Sequence, residues 1–177
     1  MASEDQEFTV LFQDFYPSLC RFLECLLGGR AALAQDLAQE SFLQLHQIAW
    51  NTLPREDARF WLYRVARNFA INEFRKGQTR HRLFDRVVEV MRPPTRNPEE
   101  EYETQERKEL VLEMLQSLPE DQRVTLLLRE QEQLSYREIG LVLNVSESKV
   151  KVDIFRARTA LRERWSRRIN AYDAHVH

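Results

Sequence analysis

LSYREIGLVLNVSESKVKVDIFRARTALRERW, residues 134–165, carries the densest run of local folding signals in the chain. Ser135 and Glu138 stand three apart just ahead of an apolar run, the spacing of a capping box in which each side chain meets the other residue's backbone N–H. Ile139 and Leu143 then form the inner side of a short helix. Gly140 falls where a second helix must approach, and Asn144 is a residue that tolerates left-handed backbone. Val145 anchors the turn and Ser146 caps the next helix, in which Val150, Ile154, Ala157, Leu161 and Trp165 recur on the inner side. Lys149, Lys151, Arg156 and Arg158 are left for the outer side, so the spacing predicts a helix-turn-helix whose second helix faces DNA.

Working back from that motif, apolar periodicity at Leu110, Val111, Met114 and Leu115 stops at Leu118-Pro119 and resumes with Val124, Leu127 and Leu128. Pro119 suits the first turn of a helix. Residues 106–177 therefore read as one helical domain. Before it, MRPPTRNPEEEYETQE carries Pro93, Pro94, Pro98 and a Glu cluster, which predicts an extended, flexible linker over 83–105. Residues 1–82 read as a first helical domain. Phe8, Leu11, Phe12, Phe15, Leu19, Phe22, Leu23 and Leu26 line one helix that ends near Gly28-Gly29. A second helix runs to about Trp50 with Leu33, Leu37, Ser41, Phe42, Leu45, Ile48 and Ala49 inward. A third, from about Asp57 to Lys76, buries Trp61, Leu62, Val65, Ala66 and Phe69 and ends at Gly77. The expected fold class is all-α: two small helical domains joined by a flexible linker, the second with a helix-turn-helix.

Charge is segregated along the chain, so the net charge of −2 conceals two basic islands. One comprises Arg55, Arg59, Arg64, Arg67, Arg75, Lys76, Arg80 and Arg82; the other comprises Lys149, Lys151, Arg156, Arg158, Arg162, Arg164, Arg167 and Arg168. Each coincides with a helical pattern, and together they predict two separate contacts with nucleic-acid phosphates. The acidic segments between them predict weak duplex binding by the free chain. Cys20 and Cys25 lie in no CxxC arrangement, and the four histidines show no metal-ligand spacing. No carboxylate cluster, His pair or glycine-rich phosphate loop offers catalysis, so no catalytic residue, metal or cofactor is expected. Apolar runs are broken well before the ~20 residues of a membrane span. The acidic start MASEDQEF lacks the basic and apolar blocks of a secretory signal, which predicts a cytoplasmic chain with no membrane insertion.

Residues 134–165 resemble the fourth conserved region of bacterial sigma factors, with SLPEDQRVTLLL resembling that domain's entry helices. Independently, Ala34 to Leu45 resembles the family's core-polymerase-binding helix, and FWLYRVARNFAINEFRK, residues 60–76, its promoter-melting helix. The resemblance covers about residues 8–168 and points to the compact extracytoplasmic-function group. It implies promoter-specific initiation by a non-enzymatic factor. Lys149, Lys151, Val152, Asp153, Phe155, Arg156 and Arg158 would meet the upstream promoter element, with Lys151, Val152, Asp153 and Arg156 nearest the base edges and Lys149 and Arg158 on phosphates. Tyr63, Asn68 and Asn72 would take the unstacked downstream strand, with Arg75 and Lys76 on its backbone. Asp36, Gln39, Glu40 and Leu43 would bind the coiled coil of the polymerase largest subunit. The implied partners are promoter DNA, core polymerase including the flap of its second subunit, and an anti-sigma factor. The chain departs from the family pattern at Asp153, whose carboxylate would accept a cytosine amino proton or pair with a neighbouring Arg, and at Asn72, where many members carry Asp. A stand-alone helix-turn-helix regulator is the rival reading; it leaves residues 60–76 without a role.

Overall fold

The computed structural model describes the backbone of residues 2–80 and 98–176, and side chains over 5–48, 50–76 and 105–170. The described chain is helical: α1 (Ala2–Leu26), α2 (Ala31–Gln44) continued by one π-helical turn (Leu45–Ala49), α3 (Arg55–Arg80), α4 (Pro98–Gln116), α5 (Glu120–Glu130), α6 (Tyr136–Leu143) and α7 (Glu147–Val176). The expected class holds.

In the first half, α1 packs on α2 and both pack on α3. Leu19, Phe22, Leu23 and Leu26 of α1 meet Ala34, Ala38 and Phe42 of α2 and Ala58, Leu62 and Ala66 of α3, all essentially excluded from water. Each large apolar side chain so buried contributes about 1.5–3 kcal/mol. The small residues of α2 and α3 let the three helices close around Phe22. Arg55 starts α3, stacks 3.6 Å over the Trp50 ring, donates to the Trp50 carbonyl and pairs with Glu7 at 3.1 Å, tying the start of α3 to the end of the π-helical turn and to α1.

Four expectations about the helices need correction. The turn at 45–49 is π-helical, and its extra residue shifts the phase of the side chains. Ile48, expected inward, is therefore 68% exposed, while Trp50 takes the inner position at 4%. Gly77 does not end α3, which runs on to Arg80. Pro98 lies in the stretch expected to be extended, yet it opens α4 at the first turn, where a proline's missing N–H costs nothing. Trp165, expected inward, is 48% exposed: past Leu161, α7 meets α4 through Arg168, which pairs with Glu113, and Trp165 is not covered. The rest of the expected linker, residues 83–97, lies outside the described residues.

The second half packs α5 and α6 against α7. Val124, Leu127, Leu128, Leu134, Ile139, Val142, Val150, Ile154 and Ala157 make its core. This core is continuous with that of the first half, because α5 contacts α1 and α6 contacts α3. Positive φ at Gly28 (72°) and Gly29 (90°) turns the chain sharply after α1, and a Cβ on Gly29 would stand 2.9 Å from Leu112 of α4. The last carbonyls of α1, which have no partner within their own helix, are met from the second half. Gln116 Nε2 donates to the Cys25 and Leu26 carbonyls at 3.1 Å each, and Arg123 Nη1 donates to Leu26 at 3.2 Å.

Candidate nucleic-acid interface

The helix-turn-helix forms as the spacing predicts. Glu138 N–H donates to Ser135 Oγ at 3.2 Å and Ser135 N–H donates to Glu138 Oε2 at 2.7 Å, completing the capping box of α6. The Ser135 N–H holds the Glu138 carboxyl below its ordinary range. Asn144 ends α6 in the left-handed region at φ 55°, and Val145 N–H returns to the Gly140 carbonyl at 3.1 Å. Gly140 permits that return: a Cβ there would lie 2.8 Å from the Val145 carbonyl oxygen. Ser146 Oγ accepts the Lys149 N–H at 3.2 Å and caps α7.

On α7 the core claims Val150, Asp153, Ile154 and Ala157, leaving Ser148, Lys151, Val152, Phe155 and Arg156 as one outward row. Val152 and Phe155 are apolar and exposed, Phe155 to 71%. Asp153 corrects the expectation for the base-reading edge. It is buried, its carboxylate accepts from Lys149 Nζ at 2.6 Å, and Lys149 also lies 3.5 Å from Asp121. A buried carboxylate needs a paired cation, and here Lys149 one turn back supplies it rather than an arginine or a cytosine. Lys149, half-buried, is thereby paired with two carboxylates on the inner side of the row. Arg158 is exposed but bonded to the Glu130 carboxylate across the α5–α7 contact.

On α3, Asn68, Asn72, Arg75 and Lys76 are exposed on one side of the helix, with Lys76 2.9 Å from Glu73. Tyr63 does not join them. It is 1% exposed, packs edge-on against Phe22 at 5.3 Å, and donates its hydroxyl to the Glu132 carboxylate in the second half. The expected stacking platform is thus a core residue in this arrangement. Burial and that hydrogen bond push the Tyr63 phenol far above its usual range, and burial likewise raises the Glu132 carboxyl.

Three arginines beside Tyr63 also reach into the second half, a role the sequence reading missed. Arg59 Nη2 donates to the Glu132 carbonyl at 2.7 Å, Arg64 donates to the Leu141 carbonyl and, at 3.2 Å, to that of Val142, and Arg67 lies 3.7 Å from Asp121 and 3.9 Å from Glu120. The fit is incomplete. Arg59 Nε, Arg67 Nε and Glu132 Oε1 are buried without a hydrogen-bond partner, each at a cost of about 1–3 kcal/mol or more. Glu132 sits in a tight connection next to Gln133, which has φ 56°. No short-range pattern marks such a residue, since its partners lie in another domain.

On α2, Asp36, Gln39, Glu40 and Leu43 share an exposed face, Leu43 at 54%. Beside it runs a groove of about 450 Å³ lined by Phe8, Phe12, Phe42, Leu43 and His46, with Asp5 and Gln39 at its rim. The α1 aromatics in this groove were read from sequence only as core. Among the described residues no helix is long and apolar enough to cross a membrane.

Family models fit both halves: "Sigma-70 region 2" over residues 11–80 and "Sigma-70, region 4" over 108–161. The chain is 28% identical over 161 residues to the ECF RNA polymerase sigma factor SigM of Bacillus subtilis, covering 90% of this chain and 96% of that one. It is 36% identical over 138 residues to the RNA polymerase sigma-H factor of Pseudomonas aeruginosa, covering 72% and 70%. The fold is shared with the sigma factor RpoE of Bartonella quintana, solved in complex with the anti-sigma factor NepR, at a TM-score of 0.67 and 20% identity over 89% of this chain and 96% of that one. With a region 2 domain and a region 4 helix-turn-helix in the family's order, and with the ECF RNA polymerase sigma-E factor of Salmonella typhimurium 31% identical over 148 residues, 71% of this chain and 70% of that one, the chain belongs to the sigma factors of bacterial RNA polymerase, in their extracytoplasmic-function group.

Proposed function

We propose that this sigma factor grips the upstream promoter element with the outward row of α7 and the opened downstream strand with the exposed side of α3. The observation that carries the reading is the capped helix-turn-helix, which leaves Lys151, Val152, Phe155 and Arg156 free of the core on one basic helix face. Lys151 and Arg156 offer donors to base edges or phosphates, and Val152 and Phe155 offer apolar contact to thymine methyl groups. Lys149 and Asp153 act behind that row as a pair that fixes the helix. Arg158 would reach phosphate only by giving up Glu130.

On α3, Asn68 and Asn72 supply amide groups to unpaired bases, and Arg75 and Lys76 supply charge to the backbone. Asn72 leaves that surface without the carboxylate common in the family, which favours an approaching strand. The α2 face of Asp36, Gln39, Glu40 and Leu43 suits a protein rather than DNA, because it carries acid and an exposed leucine but no base. Its partner in this reading is the coiled coil of the largest polymerase subunit, while the second half meets the flap of the second subunit. The likeness to a sigma factor crystallised with its anti-sigma protein supports an anti-sigma partner here too. All of these would act in the cytoplasm.

Glu40→Ala tests the polymerase half of the proposal. It removes an exposed carboxylate and leaves the core untouched. Capture of purified core polymerase by the tagged variant should fall while the circular dichroism spectrum stays unchanged; capture equal to wild type, repeated for Leu43→Ala, would remove this face from the interface.

A further inference from the structure

Past Leu161, α7 carries on beyond the reach of both family models, which end at residues 80 and 161. Helix α5 runs beside α7 from Asp121 at Lys149 to Glu130 at Arg158, and there it stops. The apolar stripe of α7 does not stop with it. Leu161 is followed at steps of four by Trp165 and Ile169, which are 48% and 44% exposed. Helical phase sets Arg162 on one side of that pair and Arg164 and Arg168 on the other, and it turns Glu163 to the far side of the helix. Arg168 pairs with Glu113 of α4 at 3.2 Å, and Arg167 donates to the Glu163 carbonyl of its own helix at 3.3 Å. Arg162 and Arg164 are exposed and meet no carboxylate among the described residues.

Four arginines against one glutamate over residues 162–168 call for an anionic partner, while Trp165 and Ile169 call for one that also covers apolar surface. Duplex DNA meets only the first demand, because its backbone offers phosphates and nothing to cover an indole. A second copy of this chain meets only the second, since it would set arginine against arginine. We propose that the end of α7, from Arg162 to Asn170, is a docking surface for an anionic lipid bilayer. Trp165 and Ile169 settle at the level of the headgroups, and the arginines lay their stems along the apolar boundary and reach the lipid phosphates. The helix lies on the bilayer rather than through it, as no described helix is long and apolar enough to cross. An arginine near such a surface strengthens binding by about fivefold, so Arg162 and Arg164 together contribute about twenty-five-fold. The site is separate from the outward row of Lys151, Val152, Phe155 and Arg156, and it stands or falls apart from the promoter reading.

The test uses the full chain with vesicles of phosphatidylcholine alone and of phosphatidylcholine mixed equally with phosphatidylglycerol. Trp50 is buried and Trp61 partly so, which leaves Trp165 as the indole whose emission responds to a surface. The mixed vesicles should shift the emission to the blue and carry the chain down on sedimentation, and the neutral vesicles should do neither. Replacing Arg162→Ala and Arg164→Ala together should weaken sedimentation with the mixed vesicles by about twenty-five-fold. Trp165→Phe should abolish the blue shift while the mixed vesicles still sediment the chain. All three positions are exposed, so the circular dichroism spectrum should match wild type in each variant. An equal response to neutral vesicles, or sedimentation undiminished by the loss of both arginines, would overturn the proposal. So would a blue shift that persists in Trp165→Phe, or one that a duplex oligonucleotide produces and the vesicles do not, which would assign this surface to nucleic acid.

Discussion

Replacing Arg123 by methionine should cost this protein a large share of its stability. Arg123 is buried, and its guanidinium makes four hydrogen bonds: to Gln116 Oε1 at 2.5 Å and to the carbonyls of Leu118 at 3.0 Å, Gln116 at 3.1 Å and Leu26 at 3.2 Å. Methionine fills comparable volume and restores apolar contact, so the cavity penalty is small. The polar partners set the cost. Leu26 keeps its bond from Gln116 Nε2, but the Gln116 and Leu118 carbonyls lose the donor that the arginine gave them at the α4–α5 turn. Those two backbone acceptors alone, at about 1–3 kcal/mol each, give about 2–6 kcal/mol, and Gln116 Oε1 loses its donor as well. Part is returned because a buried cation and its unpartnered Nε are removed. The net expectation is about 3 kcal/mol, against a total of about 5–15 kcal/mol for ordinary domains. With a urea slope of about 2 kcal/mol/M, the midpoint followed by far-UV circular dichroism should fall by about 1.5 M. A fall of less than about 0.3 M would mean that the bonds at this junction contribute little beyond what water would supply.

Gly140→Ala pits two effects against each other. Alanine gains about 1 kcal/mol of helix propensity, but its Cβ would stand 2.8 Å from the Val145 carbonyl oxygen, a backbone atom held by the recognition turn. Overpacking of that kind costs about 1–3 kcal/mol, so the variant should be less stable in a urea titration and should give weaker upstream-element protection in a holoenzyme footprint. The capping box predicts an acid limb of stability. Glu138 has a carboxyl lowered by the Ser135 N–H, so its contribution is fully present above its unfolded value of about 4.3 and is lost as pH falls through the lower folded value. Between neutral pH and about pH 3, wild type should lose more of its urea midpoint than Glu138→Gln does; parallel losses would assign the acid limb to other groups.

Legibility in the sequence followed the range of the interactions. The helix-turn-helix could be read residue by residue because each of its devices is local: Ser135 reaches Glu138, Asn144 turns its own backbone, and Ser146 caps the turn beside it. Of the outward row of α7, helical phase gave Lys151 and Arg156, while Val152 and Phe155 came only from the family resemblance. Asp153 was misread because phase alone leaves it at the margin of the core, and the packing of α5 against α7 buries it beneath Lys149, which also meets Asp121. Tyr63 was misread for a longer-range reason. An aromatic amid arginines fits a nucleic-acid surface equally well as an interdomain contact, and the deciding partner, Glu132, lies 69 residues away. Ile48 was lost to a π-helical turn, which adds one residue to the helical phase without a local signature.

Promoter-specific initiation by this chain can be read in one reconstituted reaction. Purified core polymerase, supplied with this chain and a genomic template library, should begin RNA at discrete start points that share an upstream and a downstream element, and omission of the chain should abolish those starts. Transcripts that begin at the same scattered positions with and without the chain would contradict it.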